Sequence, residues 1–106
     1  MPHHILEKLF LKSIASGHSC LELTEKIHWQ QFPKFAEELA ASIEGTVFDK
    51  AESVEMRIWF LRFPTCDISL VYDDFPEMVS LESNSVDGDR LLQSLQEKLK
   101  GQRFLV

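Results

Sequence analysis

The chain has 106 residues and a net charge of −6 at pH 7; 44% of its residues are hydrophobic and 26% are charged. These values are typical of a single globular domain over residues 1–106 with a core of its own. The acidic balance argues against general binding to nucleic acid or to an anionic membrane surface, because both need a basic protein. No apolar run reaches the roughly 18 residues of a membrane span. Glu7 and Lys12 interrupt the N-terminal segment where a signal peptide would be apolar, so we expect a cytoplasmic protein.

The N-terminal segment, residues 6–14, fits two patterns. Its apolar residues follow helical spacing, but Leu9 and Leu11 also alternate with lysines as they would in a strand. Residues 19–24 alternate more clearly and predict a strand. We favour two strands that form a hairpin around residues 15–17.

A helix over residues 32–44 is the clearest predicted element. Pro33 suits its first turn, where the missing N–H group is not needed, and Gly45 is a natural left-handed stop. Its apolar residues recur every three or four positions, as one helix face requires. They are Trp29, Phe32, Phe35, Ala36, Leu39, Ala40 and Ile43.

Two long strands dominate the middle of the chain and are joined by a tight turn at Pro64 and Thr65. Residues 54–63 carry large apolar groups on both sides of an extended chain. This pattern predicts that one side lies in the core and the other is partly covered. Residues 66–73 have their apolar groups on one side only, as a half-solvated strand does. Residues 46–50 are predicted to begin the sheet ahead of this pair.

The C-terminal third predicts one more strand and one more helix. A turn rich in Asp and Pro leads into a strand over residues 77–83. Ser85 or Asp87 can cap the helix that follows. Its apolar stripe is formed by Leu91, Leu92, Leu95 and Leu99. Gly101 ends this helix, and residues 102–106 are expected to form a short tail.

The predicted order of elements is therefore β-β-α-β-β-β-β-α. Consecutive strands with short connections form an antiparallel, mostly meander sheet, here of about five or six strands. Each helix has a single apolar stripe, so both helices are expected on one face of the sheet. The predicted fold class is α+β, a two-layer sandwich.

The charge is distributed unevenly along the sequence. Residues 67–89 contain seven acids and no Lys or Arg, whereas the rest of the chain has ten acids and eleven bases. This acidic segment holds the whole net charge and would suit a basic partner.

Metal and thiol chemistry has weak support in the sequence. His18 and Cys20 would face the same way on a strand, but a zinc site needs about four ligands. His28 and Cys66 would have to be brought to them by the fold. We expect no metal and no cofactor, and two reduced cysteines. A non-enzymatic protein is favoured.

The two tryptophans allow two interpretations. Trp29 on an apolar helix face and Trp59 on a long strand are expected to lie in the core. The alternative is that Trp59, with Leu61 and Phe63, belongs to an apolar sheet face that two helices leave uncovered. Such a face marks a partner, or a second copy in a homodimer.

One set of packing residues spans most of the chain: Trp29-x-x-Phe32-Pro33-x-Phe35-Ala36-x-x-Leu39, then Gly45, Arg57-x-Trp59, Leu70-x-Tyr72-x-Asp74 and Leu81-Glu82. Together they resemble a small, uncharacterised family of bacterial proteins of about this length, known mainly from gammaproteobacteria. The resemblance implies a compact bacterial cytoplasmic domain. It implies no activity, and no functional residue can be carried over from it.

Two functions remain. The first is a non-enzymatic interaction module, such as an adaptor, chaperone or inhibitor, that binds an unknown protein through its sheet face or the acidic segment 67–89. Its candidate partner-binding residues are Trp59, Phe63, Asp73, Asp74, Glu77 and Glu82. The alternative is a small-ligand or metal-binding protein. Its candidate ligands are His18, Cys20, His28 and Cys66.

Overall fold

The computed structural model describes the backbone of residues 3–105 and the side chains of residues 5–104. Within that range the chain forms eight strands and two helices. The strands are β1 (His3–Ile5), β2 (Phe10–Ser13), β3 (Ser19–Thr24), β4 (Thr46–Glu52), β5 (Met56–Arg62), β6 (Asp67–Asp74), β7 (Glu77–Ser83) and β8 (Arg103–Leu105). The helices are α1 (Phe32–Ser42) and α2 (Val86–Lys98).

In the described part of the chain, β2 to β7 form a six-stranded main sheet in the order β2-β3-β7-β6-β5-β4. Every neighbouring pair is antiparallel. The strands β4 to β7 follow one another as a meander, as short connections favour. β3 then joins this meander along the free side of β7. The predicted α+β fold is confirmed.

The segment at residues 6–14, which fitted both a helix and a strand, contains the strand β2 (Phe10–Ser13) and no helix. β2 pairs with β3 so that Leu11 lies opposite Leu21. The turn between them contains Gly17, whose φ of 88° favours glycine. A helix here would leave the free edge of β3 unpaired, whereas the hairpin satisfies its backbone groups.

The core lies between the main sheet and the two helices, which pack on one face of it. Leu39 of α1, Leu70 of β6 and Leu92 of α2 have no solvent exposure. Aromatic rings join the layers: Phe32 meets Trp59 edge to face, with the ring centroids 5.6 Å apart. Both predicted apolar stripes therefore face the sheet, except that Trp29 lies half-buried in the turn before α1 and not on the helix.

The end of α1 differs from the prediction that Gly45 takes the left-handed position. Glu44 does so instead, with φ 62°. The N–H groups of Glu44 and Gly45 donate to the carbonyl oxygens of Ala41 (3.2 Å) and Ala40 (2.9 Å), which closes the helix as a Schellman motif. Glycine is needed at 45 for another reason, because a Cβ there would lie 2.8 Å from Cζ of Phe63.

The start of α2 confirms one of the two predicted caps. The Ser85 side chain accepts a hydrogen bond from the N–H of Gly88 at 2.9 Å. Asp87 and Asp89 lie in the first turn, where the helix dipole favours negative charge. A Cβ at position 88 would clash with Ser83 Oγ, so glycine also permits this close approach to β7.

A small two-stranded sheet was not predicted. β1 pairs antiparallel with β8, so residues 103–105 form a strand where a tail was expected. Phe104 is 2% exposed and packs edge to face on Phe35 of α1, with centroids 5.6 Å apart. Three-residue strands are too short to show a period in sequence, so only the contact with α1 reveals them.

Candidate functional site

The face of the main sheet opposite the helices, here called the open face, is covered by no other element that the structure describes. Its centre is formed by Ile58, Phe60, Ser69, Val71, Ser80 and Glu82. Successive strand residues point to opposite sides, so these alternate with Trp59, Leu70 and Leu81, which lie beneath the helices. At the margins, Phe10 is 55% exposed and Phe48 is 42% exposed. Large apolar groups therefore meet solvent on this side.

The apolar part of the open face is a ridge, here called the apolar ridge, formed by Met56, Ile58, Phe60 and Phe48. The first three alternate along β5, are half-buried, and together span about 13 Å of strand. A bulge in β4 brings Phe48 beside Phe60, with ring centroids 6.2 Å apart. The Arg62 guanidinium lies 4.0 Å from the centre of the Phe48 ring.

A small cavity lies beside the apolar ridge. It has a volume of about 190 Å³ and is lined by Ala51, Glu52, Ser53, Met56 and Ile58. A cavity of about 150 Å³ can hold a benzene ring. There is room here for one aliphatic side chain from another molecule.

Two carboxylates on the open face have no bonded partner among residues 3–105. Asp73 lies opposite Met56 in the register of β5 and β6, and Glu82 lies opposite Ser69 in the register of β6 and β7. Burial raises the pKa of Glu82 above its usual range, and the charge of Asp73 raises this pKa further. The fold therefore holds a desolvated acid on this surface without a base bonded to it.

The bases Lys12 and Arg62 of the open face are paired with acids within the chain. Lys12 Nζ lies 2.7 Å from Glu22 Oε2, and Arg62 Nε lies 3.2 Å from Asp67 Oδ1. The hydrogen bond from Lys12 is the main cause that lowers the pKa of Glu22. These pairs cancel, so Asp73, Glu82 and Asp49, which lies opposite Phe60 with no base bonded to it among the described residues, give the open face its negative character.

Cys20 lies on this face but is shielded by its larger neighbours. It is 4% exposed, and Ser80 and Val71 nearby are 5% and 4% exposed. Burial raises the pKa of the Cys20 thiol above its usual range. A protonated, shielded thiol is a poor nucleophile and a poor metal ligand.

Trp59 lies in the core, as the first of its two interpretations predicted, and the alternative that Trp59, Leu61 and Phe63 belong to an uncovered face is wrong. Trp59 is 4% exposed and Phe63 is 8% exposed, and both belong to the core under the helices. Lys50 covers the outer edge of Trp59, with Nζ 4.0 Å from the ring centre. Both sides of β5 are apolar, so the sequence could not show which side the two helices would choose. The uncovered side is that of Ile58 and Phe60.

Asp74 and Glu77 lie apart from the centre of the open face, at the turn between β6 and β7. The Tyr72 hydroxyl is 3.4 Å from Asp74 Oδ1 and 3.4 Å from Glu77 Oε2. His28 Nδ1 is 2.8 Å from the same Glu77 oxygen. Burial, and then the charges of Glu77 and Asp74, raise the pKa of Tyr72 well above its usual value. Glu77 therefore joins this turn to the loop before α1, and Asp74 contacts Tyr72 of β6.

The four candidate metal ligands are not brought together as a set. His18 is bonded to Asp89 at 3.0 Å, and His28 is held by Glu77 at the far turn. Cys66 packs on the core just before β6, about 25 Å along that strand from the turn that holds His28. In the portion of the chain that the structure describes, no three His, Cys, Asp or Glu side chains are placed to hold a metal ion.

A second concave feature lies on the helix side. It is a groove of about 620 Å³ between the end of α1, the β5–β6 turn and α2. Ile43, Phe63 and Leu95 supply its apolar walls, and Lys98 and Glu44 at its rim are 3.9 Å apart. The charges at the rim are paired with each other, so the groove shows no preference for a charged ligand.

The residues of the apolar ridge were missed as candidates by sequence reasoning. The signal was present, since Met56, Ile58 and Phe60 alternate with Trp59 along one strand. Only the position of the two helices distinguishes the exposed side from the buried side. Phe48 gave no signal, because a bulge turns it toward Phe60.

The chain is similar to a known protein family over most of its length. A family model described as a protein of unknown function, DUF3630, matches residues 9–100. No curated protein and no solved structure matches the chain. Among the described residues, neither helix has the length and hydropathy that would let it cross a membrane.

Proposed function

Since the chain belongs to the protein family of unknown function DUF3630, its role has to be argued from its own surface, and we propose that it is a non-enzymatic protein-interaction module. It binds a protein partner through the open face and acts as an adaptor, chaperone or inhibitor. The observation behind this proposal is the pairing of a partly exposed apolar ridge with two carboxylates that have no base bonded to them in the described part of the chain, Asp73 and Glu82.

Both features cost stability in the free protein. Exposed Phe48 and half-buried Phe60 leave apolar surface in water, and Glu82 loses hydration without gaining a bonded base. Patches of this kind mark binding surfaces in soluble proteins. A partner that covers the ridge and supplies a base would relieve both costs.

From the sequence, the sheet face and the acidic segment are two separate candidate surfaces. In the fold they overlap, which supports one combined surface. Asp73 and Glu82 belong to residues 67–89 and also project from the open face. Most of the other acids of the segment are bonded inside the chain: Asp67 to Arg62, Glu77 to His28, and Asp89 to His18. The part of the acidic segment free to meet a partner is therefore the part on the open face.

The alternative role, a small-ligand or metal-binding protein, has less support. His18 and His28 are each bonded to a different carboxylate, and the Cys20 thiol is buried and protonated. Elemental analysis of protein purified without chelator tests this role directly. One zinc per chain, lost when Cys20 is replaced by Ser, would favour the alternative.

Site-specific photo-cross-linking tests the interaction module. Phe60 is replaced by the photoreactive residue p-benzoylphenylalanine, and the matched control carries it at Gln93, an exposed position on α2. In cells the open-face probe is expected to form one dominant protein adduct that the α2 probe does not form. Ile58→Arg, with folding checked by circular dichroism, should reduce that adduct. Equal adducts from both probes, or none from Phe60, would contradict the proposal.

A further inference from the structure

We infer that the open face receives an amphipathic helix whose apolar stripe lies along the apolar ridge and whose Lys or Arg side chains meet Asp73 and Glu82. This inference rests on the proposed function and specifies the chemistry of the partner. It follows from the shape of the ridge, the state of the sheet backbone and the placement of the two unpaired acids.

The sheet backbone decides between a helix and an extended peptide. Met56, Ile58 and Phe60 lie on β5, whose N–H and C=O groups already pair with β4 and β6, and only Phe48 lies on the edge strand β4. An extended segment laid on this face would leave its own backbone groups facing apolar side chains, which costs free energy for each unpaired group. A helix satisfies its backbone internally and needs only side-chain contact.

The ridge matches one face of a helix. Met56, Ile58 and Phe60 are in line along β5 over about 13 Å, the length of roughly two and a half helical turns. Phe48 widens the ridge at one end, and the cavity beside Met56 and Ile58 takes one side chain near the other. An apolar stripe with one aliphatic residue projecting into that cavity fits this surface.

The two acids mark both ends of the ridge on the same flank. Asp73 lies in register with Met56, one strand away. Glu82 on β7 lies in register with Ser69 on β6, and Ser69 lies in register with Phe60 on β5. Glu82 is therefore two strands away from the end of the ridge formed by Phe60. A helix rises about 12 Å over eight residues, so two bases seven or eight positions apart can reach both carboxylates.

A second copy of the chain fits this face less well. A two-fold pairing of open faces would bring two unpaired carboxylates from each copy into one interface, where like charges repel. The Lys12 and Arg62 side chains that could offset them are already bonded to Glu22 and Asp67. Charge complementarity therefore favours a basic partner.

The test uses a synthetic amphipathic peptide of about four helical turns, with a Leu stripe and Lys at two positions eight apart on one flank. Fluorescence anisotropy measures its binding to the full chain, and amide chemical shifts map the site. Binding is expected to shift residues of β5 and β6, and to weaken as salt is added. The same peptide with Glu in place of Lys, and one with Ser in place of Leu, should bind much more weakly.

Variants of the chain distinguish binding at the open face from non-specific attraction of a basic peptide to an acidic protein. Asp73→Asn with Glu82→Gln is expected to weaken binding roughly fivefold to tenfold. The matched control, Glu37→Gln with Glu38→Gln on α1, removes the same charge from the opposite layer and should leave the affinity nearly unchanged. Ile58→Arg should abolish binding without removing either acid.

Equal losses in the two double variants, equal binding of the Lys and Glu peptides, or shifts on the helix side would overturn the inference. So would a stable dimer whose interface is the open face. If a partner cross-links through the probe at Phe60 but none of the peptides binds, the inference of a basic helix is wrong and the proposed interaction module is still supported. If no partner cross-links through Phe60 and none of the peptides binds, the proposed function is contradicted as well.

Discussion

At the scale of single residues, the carboxylates differ in their burial and in their hydrogen bonds. Glu82 is half-buried with no base bonded to it, whereas Asp89 accepts hydrogen bonds from His18 Nδ1 at 3.0 Å and from the N–H of Ser19 at 2.9 Å. The first arrangement raises a pKa and the second lowers one. The two acids therefore affect stability with opposite signs.

Glu82→Gln is expected to stabilise the protein at pH 7. Burial, and then Asp73, raise the pKa of Glu82 in the folded state, so its ionised form opposes folding. The free energy of unfolding of the native protein should rise as the pH falls through this raised pKa, and the advantage of the variant should shrink there. Urea denaturation at several pH values measures the difference. Glu37→Gln is the control, and a variant less stable than the native protein at pH 7 would contradict the argument.

Asp89→Asn is expected to destabilise the protein at pH 7. The hydrogen bonds from His18 and Ser19 lower the pKa of Asp89 to about 2, so its ionised form favours folding. This contribution is complete above the unfolded-state value of about 3.9 and is lost as the pH falls toward about 2. Denaturation curves of variant and native protein should differ at pH 7 and converge near pH 2. Asp87→Asn, which removes a more exposed acid of the same helical turn, should show a smaller difference at pH 7.

At the scale of elements, α1 is the main cover of the core. Phe32, Phe35, Ala36 and Leu39 have no solvent exposure. The Schellman motif at its end places Gly45 against the ring of Phe63, so the helix and β5 fix each other's position. The helix is therefore stabilised by its packing much more than by its termini.

Leu39→Ala is expected to lower the free energy of unfolding by about 2–5 kcal/mol. Leu39 is fully buried between α1 and the main sheet, so truncation removes apolar contacts and leaves a cavity. Chemical denaturation measures the loss. Lys34→Ala, at an exposed position of the same helix, should change the value by less than about 0.5 kcal/mol. An equally small effect at Leu39 would contradict the assigned core.

At the scale of the whole molecule, two layers leave one side of the sheet open. A homodimer was predicted to form through Trp59 or Phe63, but both residues lie in the core and cannot form its interface. A dimer through the open face is opposed by the charges of Asp73 and Glu82. Solution behaviour at neutral pH should follow from the balance between the apolar ridge and these acids.

The chain is expected to sediment as a monomer at micromolar concentration and pH 7. Asp73→Asn with Glu82→Gln should increase self-association, because it removes the repulsion and leaves Phe48 and Phe60 in place. Glu37→Gln with Glu38→Gln changes the net charge equally and should not. If the control associates as strongly as the open-face variant, net charge and not this surface controls association.

Most of the fold follows from periods in the sequence. The spacing of Phe32, Phe35 and Leu39 predicts α1, and alternation predicts β3, β5, β6 and β7, because burial on one side imposes the period of each element. β1 and β8 were missed because three residues show no period. Asp73 and Glu82 were found as candidates from charge alone, whereas Phe48, Ile58 and Phe60 were not.

The sequence by itself determined which residues alternate along β5, and therefore that Ile58 and Phe60 share one side while Trp59 and Leu61 share the other. It also determined that residues 67–89 hold the net negative charge. Only the tertiary structure decided which side of β5 the helices cover, which acids find a partner, and which residue takes the left-handed position after α1. The physical reason is that period and charge are local properties, whereas burial and pairing depend on side chains that are distant in sequence.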